Sequence, residues 1–188
     1  MHTIEPYYKW REFYSSEKDT ASPFYGVQYS EFHFTNHIYN FAIHPQWDDF
    51  GSETLLLKVL FVDYEEGYCI IEMIGEWNDA INNDIMLLKR ELIDLMIDDG
   101  IDKFILIGEH VLNFHSSDDS YYEEWAEDLG GGWVTLINFH PHVLDEMENA
   151  GIGNYFLIKE QFEQVDWRLL KPQMMFEKVE MMLPRLLA

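Results

Sequence analysis

Residues 55–75, LLLKVLFVDYEEGYCIIEMIG, decide the fold. Two apolar runs rich in branched residues, 55–64 and 68–75, flank Glu65, Glu66 and Gly67. Such runs read as buried strands, and so short a connection joins them as an antiparallel hairpin. The period then changes. Ile81, Ile85, Leu88, Leu92 and Leu95 recur at spacings of 4, 3, 4 and 3, which is one face of an amphipathic helix stopped by Gly100. Asp98 and Asp99 sit in its last turn, where the helix dipole disfavours acids, and nothing local explains them.

Beyond that helix the alternation continues. Residues 103–108 (KFILIG) predict a short buried strand, and 119–129 predict a helix with Ser120 and Glu123 at capping-box spacing. Gly130, Gly131 and Gly132 end it. A strand follows over 133–139, then a helix over 141–150 opened by Pro141, then a short strand over 154–158. The order ββαβαβαβ predicts an α/β fold. Its sheet is mixed and mostly parallel, with an antiparallel edge hairpin and flanking helices.

The predicted core spans 55–160 within one compact unit. Ahead of it, 1–54 form an aromatic-rich extension, crowded from Tyr7 to Phe50, expected to pack on the core. Residues 38–44 alternate, with Tyr39, Phe41 and Ile43 on one face, and 25–33 are the expected partner strand across Thr35 and Asn36. After the core, 161–188 predict a helical tail. Its helix, 172–187, carries Met174, Met175, Val179, Met182, Leu183 and Leu186. That face is expected to dock on the core, and its methionines also suit a dimer contact.

Charge narrows the function. The 188 residues carry 35 acids against 12 Lys and Arg, a formal charge of −23. Phosphate backbones and anionic membrane surfaces demand the opposite sign, which argues against nucleic acid and membrane as partners. A protein partner, a second copy of the chain, cations and neutral ligands remain. The N-terminus, MHTIEPYYKW, lacks the apolar segment of a secretory signal. Cys69 has no partner in the chain for a disulfide. A cytoplasmic protein is expected.

The candidate site lies where strands end. The tripeptide Ile-Gly-Glu occurs at 74–76 and again at 107–109, both times closing a predicted strand. Ligands of open α/β sheets bind outside the carboxyl ends of strands. The predicted rim is Glu76, Asp79, Glu109, His110, Asn138 and His140, with His115 nearby. Carboxylates with imidazoles suit a divalent metal or general acid–base work. The simpler reading of GEWND, 75–79, is a helix start in which Asn78 or Asp79 caps free backbone N–H groups. Gly130–Gly132 follow a helix and precede a strand, the reverse of the order a phosphate-binding loop needs. No Gly-x-Ser-x-Gly elbow marks a serine nucleophile.

The element order resembles the STAS domain, the fold of bacterial anti-sigma-factor antagonists and of sulfate-transporter tails. One motif adds to the resemblance. In that family a strand leads into a hydrophobic-x-hydrophobic-Asp-Ser-Ser-Gly loop that opens a helix. Here 105–118 read ILIGEHVLNFHSSD, with Val111, Phe114, Ser116 and Ser117 near the family spacing. The resemblance implies Ser116 as a regulatory phosphorylation site. His115 stands where the family has aspartate and Asp118 where it has glycine, so a phosphate here would meet like charge. The chain also resembles uncharacterised bacterial proteins sharing HPQWDDFGS-like and GEWND-like segments, here 44–52 and 75–79.

Three functions follow from these residues. The first is a binding or regulatory module that contacts a protein partner. The second is a metal-dependent, hydrolytic enzyme using Glu76, Asp79, Glu109 and His140. The third is a small-ligand carrier whose pocket, lined by Tyr39, Phe41 and Trp47, lies between core and N-terminal segment.

Overall fold

In a computed structural model, residues 4–183 are described. A two-residue-per-strand hairpin, β1 (His37–Ile38) and β2 (Phe41–Ala42), precedes a four-stranded sheet. The sheet strands are β3 (Leu55–Asp63), β4 (Tyr68–Asn78), β5 (Lys103–His115) and β6 (Trp133–Ile137), in that spatial order. β3 and β4 pair antiparallel, while β4 with β5 and β5 with β6 pair parallel. The sheet is therefore mixed and mostly parallel, with the 55–75 hairpin at its antiparallel edge. The expected last strand is reduced to one bridge, Leu157 beside Thr135, after a 3₁₀ turn at Ile152–Asn154.

The helix after β4 is broken into pieces, and the breaks move its buried stripe. α1 (Asp79–Asn82) ends at Asn83, whose φ of +54° is left-handed. α2 (Asp84–Leu88) runs into a π turn, Lys89–Ile93, and then α3 (Asp94–Asp98). A π turn inserts one extra residue per turn. From its last residue onward the core-facing positions become Ile93 and Met96, and Leu95 is left 46% exposed. Ile81, expected on the buried face, lies ahead of the Asn83 break and is 83% exposed. Lys89, with its side chain fully buried, opens the π turn and pairs with Asp94 (2.5 Å), Asp128 (2.6 Å) and Glu124 (3.4 Å). These last two acids lie in α4 (Ser120–Asp128), so the π turn is stapled across to the next helix.

Both faces of the sheet are covered. On one, Cys69, Ile71, Met73, Phe104, Leu106 and Leu136 pack under the helices, α5 (Pro141–Asn149) included. On the other, Tyr68, Ile70, Ile105, Ile107 and Ile137 meet Trp10 from the N-terminal segment and Phe162, Trp167 and Phe176 from the C-terminal one. The Tyr68 and Phe176 rings stack at 3.9 Å. Phe176 belongs to α6 (Pro172–Met182), whose Met175 and Val179 are also buried. Burial of each such large side chain contributes about 1.5–3 kcal/mol. Leu186 of the expected tail helix lies outside the described residues.

The N-terminal hairpin is much smaller than expected. Residues 25–33 form no strand, and the turn falls at Tyr39 and Asn40. Tyr39 and Phe41 are exposed while Ile43 is fully buried, so the three do not share a buried face. Ile38, Ile43 and Trp47 pack on Leu56 and Ile74, which roots the hairpin on the sheet.

Gly75 shows why the hairpin 55–75 can close. Its φ is +121°, and a Cβ there would stand 2.1 Å from the Thr54 carbonyl oxygen, the acceptor of the Glu76 N–H. Gly100 also has a left-handed φ, +93°, but nothing stands within 4 Å of its would-be Cβ. Gly75→Ala is expected to destabilise the fold by about 3 kcal/mol or more, and Gly100→Ala by only about 1 kcal/mol, in urea unfolding. Equal losses would mean that backbone conformation, not the close approach, sets the requirement at Gly75.

Candidate functional site

β5 runs on to His115, so Glu109, His110 and His115 are strand residues rather than loop residues. Bulges also shift the pairing, with Ile74 opposite His110 and Glu76 opposite Asn113. The two Ile-Gly-Glu copies are thus out of register. The predicted rim residues consequently fall into separate groups.

The first group builds the helix start. The Asn78 side chain accepts the Ile81 N–H at 3.0 Å, capping α1. Asp79 is buried, and both its oxygens are used. Oδ1 accepts from Trp77 Nε1 (3.0 Å) and the Ile85 N–H (2.8 Å), and Oδ2 accepts from the Tyr122 hydroxyl (2.5 Å). Burial pushes its carboxyl up to about 6 against those bonds. Asp84 accepts from Ser52 Oγ (2.6 Å) and the Asn78 N–H (2.7 Å). GEWND is therefore a helix start that also braces α4 against the end of β4.

Glu76 is half-buried. Its carboxylate accepts from the Tyr39 hydroxyl at 2.6 Å and from Asn113 Nδ2 at 3.0 Å. His140 precedes α5, its ring stacked on that of His142 at 5.6 Å, and His142 Nε2 lies 2.7 Å from the Leu112 carbonyl.

Glu109 and Asn138 come together, and they hold the C-terminal segment. Asn138, with φ +55°, donates to Glu109 Oε1 (2.8 Å) and to the Val165 carbonyl (2.9 Å) and accepts the Val165 N–H (2.7 Å). Trp167 Nε1 donates to the same Glu109 oxygen at 2.9 Å, and Arg168 Nη1 lies 2.5 Å from Glu109 Oε2. Burial pushes the Glu109 carboxyl up, but these bonds outweigh it and hold the group below its ordinary range. Arg168 also reaches Glu72, Nη2 to Oε1 at 3.5 Å, with its guanidinium 4.4 Å from the Trp167 ring.

Glu72 lies outside the predicted rim yet belongs to this cluster. It lies mid-strand in β4 and is 1% exposed. Its Oε2 accepts the Tyr7 N–H at 2.8 Å, and His110 Nε2 lies 3.9 Å from Oε1. Burial, helped by Glu109 and opposed by the Tyr7 bond and Arg168, pushes its carboxyl up to about 7. The Tyr7 hydroxyl donates to the Arg168 carbonyl (2.8 Å) and Trp10 Nε1 to the Leu170 carbonyl (2.9 Å), tying the two chain flanks together. A cleft of about 540 Å³ opens beside this cluster, over Glu109, Asn138, Trp167, Arg168 and Leu169. The sequence held one signal for Glu72, a lone acid inside the apolar run CIIEMI.

Among the described residues, no three His, Cys, Asp or Glu side chains gather closely enough to hold a metal ion. The arrangement fastens chain segments together. Ser116 is exposed beside a second cleft, about 470 Å³, which it shares with Phe114, His115 and Glu146. A third, about 400 Å³, lies within the N-terminal segment rather than between it and the core, and is lined by Phe24, Tyr29 and Trp47 rather than by Tyr39 and Phe41. No helix among the described residues is long and apolar enough to cross a membrane.

No family model matches the chain, and no curated protein matches it. Among solved structures, that of the anti-sigma factor antagonist SpoIIAA in its unphosphorylated form is similar. It is 17% identical, and the match covers 56% of this chain and 90% of that one with a TM-score of 0.43. The likeness is one of fold, over little more than half of this chain, and it assigns no residue or partner.

The Glu72 carboxyl gives stability a pH dependence of known sign. Its folded value, about 7, lies above the ordinary 4.5, so between these the folded chain binds more protons than the unfolded one. Its contribution is full below about 4.5 and is lost as pH rises through about 7. Other carboxylates titrate too, so the readout is a difference between variants. In Glu72→Gln, the gain in Tm on going from pH 8 to pH 6 should be smaller than in wild type by several degrees. An unchanged pH profile would show that Glu72 titrates as an ordinary carboxylate.

Proposed function

We propose that the protein is a non-enzymatic binding or regulatory module that holds a protein partner, with the β1–β2 hairpin and the loop before it as the contact surface. Tyr39 carries this reading. It is 63% exposed at the hairpin tip with φ +53°. A bulky residue in the left-handed region costs of order 1–3 kcal/mol, which the hydrogen bond from its hydroxyl to Glu76 offsets while the ring stays exposed. An exposed ring fixed in this way is set for contact outside the fold.

The neighbourhood supports the same use. Tyr25, Phe32, Phe34 and Phe41 are also exposed, all within the segment that leads into or forms the hairpin. Exposed aromatics concentrated in one place mark interaction surfaces, where rings become the centre of an interface. The surface rests on a firm base, because Ile38, Ile43 and Trp47 are buried against the sheet and Glu76 fixes the Tyr39 hydroxyl. Surface chemistry supports the reading here, since a fold alone assigns no function. A reducing compartment such as the cytoplasm suits the buried Cys69 thiol, whose deprotonation burial opposes.

A photo-crosslinking residue at Phe32 and, separately, at Phe41 tests this in cells of the organism of origin. The same protein adduct is expected at both positions and absent at Leu169 and Met181, which are 84% and 80% exposed on the C-terminal segment. No adduct at either hairpin position, or the same adducts at all four, would overturn the proposal.

A further inference from the structure

The aromatic surface sits in a stretch of the chain that carries acids and no positive side chain. From Asp19 to Leu57 there is no Lys or Arg, while Asp19, Glu31, Asp48, Asp49 and Glu53 are present. Glu31, Asp49 and Glu53 are exposed, and Glu76 stands at the hairpin, bonded to Tyr39. The chain as a whole carries −23. A second copy would bring the same sign to the same surface, and a nucleic acid would be repelled outright.

The chain's own cations pack on aromatic rings elsewhere in the fold. Lys58 Nζ sits 3.7 Å from the centroid of the Tyr29 ring, Arg168 4.4 Å from that of Trp167, and Arg90 5.5 Å from that of Tyr121. These three cations are also held by carboxylates, Lys58 by Asp48 (3.2 Å), Arg168 by Glu109 (2.5 Å) and Arg90 by Asp94 (2.7 Å), whereas Lys171, 5.8 Å from the Phe13 ring, has no such ion pair among the described residues. Ring and acid together form the pattern. Exposed Phe32, Phe34, Tyr39 and Phe41 share this stretch with exposed Glu31 and Glu53, and Tyr39 bonds Glu76, so both components are present, while no Lys or Arg lies between 19 and 57 to supply the cation from within the segment.

We infer that the hairpin surface binds an arginine- and lysine-rich segment of another protein, its cations laid on the exposed rings and drawn in by the flanking carboxylates. This deepens the reading of the hairpin as the contact surface and rests on it. Attraction of this kind steers association and weakens with salt, whereas ring contacts fix where the partner sits.

The test uses the full chain and a fluorescein-labelled 12-residue peptide with arginine at every third position, followed by anisotropy. A matched peptide with glutamate in place of arginine is the control. The arginine peptide should bind, and the glutamate peptide should not. Binding should weaken at least tenfold in Phe32→Ser/Phe41→Ser and in Glu31→Gln/Glu53→Gln. It should persist in Glu123→Gln/Glu127→Gln, the same charge change made at exposed positions on α4. Tyr39→Gly suits the left-handed backbone and removes the ring, and it too should weaken binding. Equal loss with the α4 pair would show adsorption to bulk negative charge and overturn the inference. So would failure of the arginine peptide to bind. If crosslinks at Phe32 and Phe41 still capture a protein while the arginine peptide fails, the contact surface stands and its basic partner does not. If both fail, both fall.

Discussion

Lys58 and Glu72 sit opposite one another in register on β3 and β4, in the middle of strands that are otherwise apolar. Neither bonds the other. A buried charge without compensation costs several kcal/mol, so each must draw a partner from elsewhere in the chain. Lys58 takes Asp48, at 3.2 Å but not aligned for a hydrogen bond, and the face of Tyr29. Glu72 takes the Tyr7 N–H and, at longer range, Arg168. One side of the sheet is thereby committed to the two chain flanks, while the crossover helices cover the other. Burial lowers the Lys58 ammonium and raises the Asp48 and Glu72 carboxyls, the mark of charges kept at a desolvation cost.

The same arrangement accounts for the predicted rim. Glu109 and Asn138 stand at the edge where an α/β sheet would bind a ligand, but they bind residues 165–168 of their own chain. Asp79 stands at the end of β4, and its oxygens are consumed by Trp77, Ile85 and Tyr122. Carboxylates collected at strand ends can serve assembly as readily as chemistry. What separates the two uses is the partners they find, which lie far away in sequence.

That distance also explains how much of the molecule was legible beforehand. The hairpin over 55–75 could be read because two apolar runs and a three-residue turn are local facts, and the same holds for Pro141 and Pro172 opening α5 and α6. The helix after β4 was legible as a helix, but its π turn was not, because the acids Glu124 and Asp128 that hold Lys89 belong to α4. The alternation of Tyr39, Phe41 and Ile43 reads the same whether rings face inward or outward. The turn at Tyr39 and Asn40, and the rooting of Ile38 on Ile74, decide it. Asn78 as helix cap and Glu109 beside Asn138 were legible. Arg168 was not, since it lies ahead of the Pro172 helix in a stretch with no periodic pattern.

The two flanks form one fastened unit over the sheet, joined at Arg168, whose guanidinium reaches Glu72 and Glu109 and whose carbonyl accepts the Tyr7 hydroxyl. Hydrogen exchange of wild type and Arg168→Ala, followed amide by amide, tests this most directly. The predicted result is faster exchange at Tyr7 and at residues 11–14 together with 162–170, with the amides of 104–107 and 134–137 unchanged. Faster exchange confined to 166–170, with Tyr7 and 11–14 as protected as before, would contradict it and leave the flanks as two independent covers.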